Sequence, residues 1–290
     1  MLNKSKVNYE KLLNGVQKVI DRGDYPEFLK FMNKIQNNYS LRNKWLIYSQ
    51  NENATIVKGF CDWQKLGRGI KRHPKTIYIY SPIKYKKKKV IDGQQDIDGK
   101  ERKERNESGT IEEIEGIRYK RVTVYDIGDT YLKKGTKRIP ILDCYLENDT
   151  TLDLYNNLIS ISPVPIELKT INGIKKGYYS KKERKIVLND NLSQDDKTAV
   201  LLHELCHCLY DDFIYKTERN KSEVFVESVA FLVADYFNFD TSLCSFEYVV
   251  NWAENDINEF LKLSEKIKET ADKFIELIKK SECKQEKISA

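Results

Sequence analysis

The stretch KTAVLLHELCHCLY, residues 197–210, decides how this chain is read, because it places two of only three histidines four residues apart around a glutamate. On a helix, positions four apart lie one above the other, so His203 and His207 can direct ring nitrogens at one metal ion. Glu204 stands about 100° round from His203 and shares the side facing the ion, where this motif uses its glutamate as the general base for a water. Cys206 and Cys208 project about 90° or more from the centre of that face and are read as packing residues rather than thiolate ligands. The alternative is an ordinary core helix that happens to contain two histidines, and three in 290 residues make that spacing a poor coincidence.

A catalytic zinc takes three protein ligands and leaves a position open. No histidine follows His207, and His73 lies far upstream, so a carboxylate on the next helix is expected to complete the set. Glu223 and Glu227 are the candidates, four apart on one face. Glu227 is the expected ligand: it opens ESVAFLVAD (227–235), leaves room after His207 for a turn and an antiparallel helix, and precedes the small Ala230. Glu223 is the other candidate.

Working outward, Ser193 is a fitting N-cap for the metal helix, with Asp195 and Asp196 in its first turn. KGYYSKKERKIVLND (176–190) reads as a hairpin turning near 180–183, and RKIVL is a sheet edge on which an extended peptide could lie. Helices are expected over about 152–160 and 222–237, and the amphipathic stripe from Ile257 to Ile278 should pack on the rest of its domain. In the first half, Leu12 to Ile20 and Phe28 to Ile35 repeat at helical spacing, and Ser40 precedes a third helix, LRNKWLIYSQ (41–50). TIYIYSP (76–82) alternates as a strand and is expected to stop at Pro82. Residues 84–118 hold 19 charges in 35 positions and read as a mobile insertion, after which RVTVYDI (121–127) returns as a strand. The fold class is therefore α+β, with a boundary near 148: 1–148 as one domain and 149–290 as a mainly helical domain with a small sheet.

Charge is unevenly spread. Residues 1–83 carry 15 Lys/Arg against 6 Asp/Glu, a net of 15 − 6 = +9, more than the +6 of the whole chain. A basic first half suggests a polyanionic partner, most simply nucleic acid. No apolar run approaches the roughly 20 residues that cross a bilayer. The start of the chain lacks an apolar signal core, and six scattered cysteines read as free thiols, so a cytoplasmic protein with no membrane partner is expected.

Taken together, GYYSKKERKIVLND, LLHELCHCLY and ESVAFLVADYF resemble the zincin-like domain of ArdC-type antirestriction proteins and of the ImmA/IrrE metallopeptidase group. Upstream, residues 39–82 resemble the ArdC N-terminal domain, known for binding single-stranded DNA, and VTVYDIGDT (122–130) resembles the strand and turn that close it. The resemblance implies a cytoplasmic protein of mobile genetic elements, with Zn2+ held by His203, His207 and Glu227 and with Glu204 as general base. It also implies an acid four residues after the ligand glutamate. Counted from Glu227 that position is Phe231, which leaves Asp235 as a substitute. A tyrosine, Tyr178, Tyr179 or Tyr248, would have to serve as oxyanion donor.

Single-strand binding asks for cations that track phosphates and aromatic faces that stack bases. Tyr78 and Tyr80, which share a strand face, are the expected stacking pair, with Arg42, Lys44, Arg68, Lys71 and Arg72 as the phosphate contacts; Trp45 and Trp63 are expected in the core. The function expected is thus a DNA-associated zinc metallopeptidase with a protein or peptide substrate. The alternatives are a non-catalytic DNA-protection protein with a structural zinc, or a peptidase that cleaves a repressor.

Overall fold

The computed structural model describes residues 4–35, 39–91, 110–135, 154–214, 217–239 and 257–289. The chain is mixed helix and strand, as the patterning implied. Three helices come first: α1 (Lys4–Asp21), α2 (Tyr25–Lys34) and α3 (Leu41–Gln50). They are followed by β1 (Val57–Gly59), α4 (Phe60–Lys65), β2 (Arg68–Ile70), β3 (Ile77–Ile91), β4 (Thr110–Asp126) and β5 (Thr130–Leu132). These strands form an antiparallel sheet of order β1-β4-β3 and a separate β2-β5 pair.

The second half contains α5 (Leu154–Ile161), β6 (Ile166–Lys169), β7 (Gly177–Ser180), β8 (Lys185–Asn189), α6 (Gln194–Leu209), α7 (Asp211–Ile214), α8 (Arg219–Tyr236) and α9 (Ile257–Ser289). Its sheet runs β6-β8-β7. The expected hairpin is β7 with β8, and the amphipathic stripe is α9, whose Phe260, Ile267, Phe274 and Ile278 are fully buried.

Two expectations for the first half are corrected. Pro82 does not end its strand, because β3 continues to Ile91 with Pro82 opposite Tyr119. The reason lies in which way the amides face. The N–H groups of Tyr78 and Tyr80 point away from β4, to the side-chain carbonyls of Gln50 and Asn43 on α3. Pro82 shares their parity, so its missing N–H costs no ladder bond on this edge strand. The charged stretch 84–118, expected as an insertion, is at both ends a continuation of that ladder, from Lys84↔Ile117 to Ile91↔Thr110. In that register Lys86 stands opposite Glu115 and Lys88 opposite Glu113. Its middle, 92–109, lies outside the described residues.

The clamp on the edge of β3 is reciprocal. Asn43 Nδ2 donates to Tyr80 O at 2.8 Å while Tyr80 N donates back at 2.9 Å, and Gln50 makes the same pair with Tyr78 at 2.9 and 3.0 Å. Two side-chain amides, one at each end of α3, thus satisfy an edge that would otherwise be open.

The core does not divide at 148. Tyr25, Phe28 and Trp45 from α2 and α3 form one buried cluster with Phe225, Val229 and Leu232 of α8 and Phe260 of α9. The Phe28 and Trp45 rings stack with centroids 3.4 Å apart, and Phe260 lies edge-on to Tyr25 at 5.4 Å. Tyr25 Oη and Ser228 Oγ share a buried hydrogen bond of 3.0 Å, and Asn33 Nδ2 donates to Leu232 O and Asp235 Oδ2. The first helices therefore form the back wall of the helix that carries Glu223 and Glu227.

Candidate metal centre

α6 starts where the capping chemistry places it: the Ser193 hydroxyl accepts the Asp196 N–H at 3.1 Å, and the Asp195 and Asp196 carboxylates sit on the positive end of the helix. Leu201, Leu202, Leu205 and Cys206 turn inward and are buried. This leaves His203, Glu204 and His207 half-buried on the face toward α8. α8 buries Val224, Phe225, Val226 and Ser228 in turn and presents Glu223 and Glu227 across the gap.

The two imidazoles converge through the same nitrogen type, with Nε2 of His203 3.1 Å from Nε2 of His207. Glu223 Oε2 closes the triangle at 3.7 Å from each, and these three residues are the metal-capable cluster among the described residues. Ligands held at 2.0–2.1 Å around one tetrahedral ion stand about 3.4 Å apart, so edges of 3.1, 3.7 and 3.7 Å fit such an ion. Two imidazoles and a carboxylate are a donor set suited to zinc.

Glu227 stands elsewhere. Its Oε1 lies 3.3 Å from Nδ1 of His203, the nitrogen that points away from the triangle. The geometry thus departs from the expected third ligand: Glu223 faces the convergence point and Glu227 braces a histidine from behind. Counted from Glu223, the acid four residues on is Glu227 itself, and the vacancy expected at Phe231 disappears. Asp235 is engaged by Asn33, at 2.9 Å, and is not part of the site.

Electrostatics follow the placement. Burial pulls the His203 pKa down, but the Glu227 hydrogen bond and the charges of Glu227, Glu204 and Glu223 outweigh it and leave it raised. The His207 hydrogen bond holds the Glu223 carboxyl below the usual range against its burial, with the charges of His207, His203 and Arg219 adding to the effect. Burial and the Glu227 charge push the Cys206 thiol well up, and burial does the same for Cys208. Neither thiol has the electropositive setting of a thiolate ligand.

Glu204 is fixed by a group that no side-chain motif announces. Its Oε2 accepts the backbone N–H of Tyr179, on β7, at 2.8 Å. In the β7–β8 ladder Asn189 N donates to Lys176 O, so the amides of Gly177 and Tyr179 have the opposite parity and face the open side. The sheet edge beside the site is therefore β7. β8, which contains most of RKIVL, is the central strand, paired with β6 on one side and β7 on the other, and the expectation that it forms the edge is corrected. β7 lies close over α6 because residue 177 is glycine: a Cβ there would meet Val200 Cγ1 at 2.6 Å.

The expected oxyanion donors are turned to other partners. The Tyr179 hydroxyl lies close enough to Cys208 for that thiol to help raise its pKa, after burial as the main cause, the Tyr178 ring lies 4.2 Å from the Lys175 ammonium, and Tyr248 is outside the described residues.

Of the residues expected to contact DNA, Tyr78 and Tyr80 share the outer face of β3, with Ile77 and Ile79 buried behind them. Tyr78 is 39% exposed and carries the Arg121 guanidinium 4.2 Å from its ring centre, whereas Tyr80 is packed partly against the core. Tyr119, on the same face and 69% exposed, was not among the expected contacts, because it falls between the stretch read as an insertion, 84–118, and the strand expected from Arg121. Lys71 and Arg72 are exposed, and Lys71 Nζ donates to Gly128 O at 2.7 Å. Arg68 donates to Thr130 Oγ1 at 2.6 Å on the β2–β5 pair. Arg42 is exposed on α3. Lys44 is not with them: its ammonium turns toward Met32 O at 3.4 Å and the α9 residues Lys268 and Asp272. Trp45 and Trp63 are fully buried, as expected.

Comparison with known proteins agrees with this architecture. Residues 164–267 match the Peptidase_M78 family model, the IrrE N-terminal-like domain. An uncharacterized Bacillus anthracis protein is 26% identical over 302 aligned positions, and the chain spans about half that relative's length, 93% of this chain against 50% of the relative. The metal-free crystal structure of the antirestriction protein ArdC from plasmid R388 superposes with a TM-score of 0.58 at 14% identity, covering 94% of this chain and 97% of that one. Its Mn(II)-bound structure gives 0.57 over the same coverage. Among the described residues no helix is long and apolar enough to cross a membrane. The chain thus has the ArdC fold and carries, over residues 164–267, an IrrE N-terminal-like domain.

Proposed function

We propose that this chain is a DNA-associated metallopeptidase-like protein with an antirestriction role on mobile elements, in which His203, His207 and Glu223 hold a divalent metal, zinc by donor set, and Glu204 is the general base. The observation that carries the reading is the convergence of two Nε2 atoms and one carboxylate oxygen into a triangle of tetrahedral dimensions. The Mn(II)-bound ArdC structure supports a divalent ion in this fold. A divalent ion so held supplies Lewis acidity to a water and to the carbonyl under attack.

This chain's own residues do the rest. The Tyr179 amide holds one oxygen of Glu204 and leaves the carboxylate beside the histidines, where it takes the proton of the attacking water and passes it to the leaving nitrogen. The open edge of β7 offers Gly177 N–H and C=O to an extended peptide, which fixes the scissile bond by strand addition. In the first half, Tyr78, Tyr119 and Arg121 form an outward aromatic and cationic face suited to unpaired bases.

Glu204→Gln tests the catalytic part: bound metal should stay at wild-type stoichiometry while any hydrolysis of a co-expressed restriction subunit or repressor disappears. Unchanged hydrolysis would remove Glu204 from the mechanism. A second reading, a non-catalytic shield for incoming DNA, is favoured by the engagement of Tyr178 and Tyr179 away from the site. Equal restriction protection in cells by wild type and Glu204→Gln would select it.

A further inference from the structure

The β7–β8 hairpin beside the metal centre is strongly basic. Residues 175–185 hold Lys175, Lys176, Lys181, Lys182, Arg184 and Lys185 against Glu183, a net of 6 − 1 = +5. Half of these cations are paired within the fold: Lys176 with Asp196 at 3.0 Å, Lys181 with Asp211 at 2.6 Å, and Lys185 with Glu167 and Glu183 at 2.9 Å each. Lys175, Lys182 and Arg184 are exposed and have no carboxylate partner among the described residues. Lys175 stands at the start of β7. Its ammonium lies 4.2 Å from the centre of the Tyr178 ring, and the attraction of a cation to an aromatic face holds it on one side of the strand. That side is the outer one, because Gly177 faces α6, where an added Cβ would meet Val200, and successive residues of a strand alternate. The inner side is anionic by contrast: the Tyr179 amide holds Glu204 there, and Glu223 and Glu227 stand beside the histidines.

We infer that a peptide added to the open edge of β7 carries an acidic side chain at the position opposite Tyr178, where the Lys175 ammonium receives its carboxylate. A residue set opposite Tyr178 in antiparallel addition has its Cβ about 4.5–5.5 Å from that of Tyr178, so an ammonium over the ring is within reach of a glutamate there. Alternation ties the preference to register. An acid shifted by one residue turns inward onto Glu204, Glu223 and Glu227, where like charges oppose it. The two other unpaired cations, Lys182 and Arg184 in the turn, add a positive field that draws an acidic segment to this edge. The inference rests on the metal-centre reading given above and adds the class of substrate, a segment with a carboxylate facing away from the metal.

The test measures binding and requires no turnover. Full-length protein loaded with zinc is titrated by calorimetry with three N-acetyl dipeptide hydroxamates: Ala-Ala, Glu-Ala and Ala-Glu. One of the two acidic compounds, and only one, should bind about three- to fivefold more tightly than the Ala-Ala compound, the scale of a solvent-exposed ion pair. The gain should shrink at about 1 M salt. In Lys175→Met, which keeps the stem and removes the charge, the gain should vanish while the Ala-Ala compound binds as it does to wild type. Equal affinity of all three for wild type, the same gain at both positions, or a gain that survives Lys175→Met overturns the subsite and leaves the metal centre standing. So does a Lys175→Met variant that loses affinity for a single-stranded oligonucleotide and none for the acidic compounds, because the charge then serves nucleic acid. Failure of the Ala-Ala compound to bind the zinc-loaded chain overturns the metal centre, and the subsite with it.

Discussion

Glu227 stands behind His203, its Oε1 3.3 Å from Nδ1, while Nε2 of the same ring faces His207 and Glu223. A carboxylate on the far nitrogen fixes the tautomer and raises the basicity of the coordinating one. Glu227→Gln should therefore weaken zinc affinity by about 10–100-fold without abolishing a saturable site, as read by competition with a chromogenic chelator. Unchanged affinity would show that the brace is decorative.

Because Tyr25 and Ser228 join the two halves through a buried hydrogen bond, and Phe28 and Trp45 pack onto the same core as α8, stability should be indivisible. Trp45→Ala should cost about 3–5 kcal/mol and broaden or lower the one unfolding transition seen both by far-ultraviolet dichroism and by metal release. A fragment of residues 1–148 would expose that apolar surface, and it should lack a cooperative transition of its own. Sharp independent melting of the fragment would contradict a shared core.

Lys44 sets a pH dependence. Burial, reinforced by Lys268 and only partly offset by Asp272, pulls its pKa from 10.5 down to about 8. Below about 8 both folded and unfolded chains carry the proton, and the cost of burying it is fully felt. Between about 8 and 10.5 the folded chain releases the proton while the unfolded chain keeps it, so this contribution makes stability rise with pH. Lys44→Met should stabilise the protein at pH 7 by about 1–3 kcal/mol, with the gain shrinking toward pH 10 in urea titrations. A variant less stable at pH 7 would mean the ammonium contributes to the fold.

On the outer face of β3 and β4, Tyr78→Ala and Tyr119→Ala should each cost about 1–3 kcal/mol in single-stranded DNA affinity, if each stacks a base. Lys71 with Arg72 changed to Ala should instead weaken binding across all sequences and flatten its salt dependence. Fluorescence anisotropy of the full chain at several salt concentrations separates the two effects. Tyrosine variants that bind as wild type would move the nucleic-acid site off this face.

Much of this was legible in the sequence because local chemistry dictates it. Ser193 caps α6, the spacing of His203 and His207 puts both on one face, and the Tyr78/Ile79 alternation predicts which side of β3 is buried. What could not be read is tertiary. Glu223 and Glu227 lie four apart on one helical face, so spacing cannot say which of them faces the two Nε2 atoms; only the axial offset of α8 against α6 does. Whether β7 or β8 is the edge depends on the distant β6 pairing in parallel with β8. Pro82 passes through its strand because α3, not another strand, covers that edge. The lowered pKa of Lys44 reflects burial first and then Lys268 of α9, more than two hundred residues away.

The most direct test of the metal centre is the metal content of Glu223→Ala and Glu227→Ala beside wild type, by inductively coupled plasma mass spectrometry after dialysis against trace zinc. Wild type should hold about one zinc per chain, Glu223→Ala close to none, and Glu227→Ala an intermediate amount that saturates as zinc is raised. Full retention by Glu223→Ala with loss in Glu227→Ala would reverse the two glutamates and contradict the site described here.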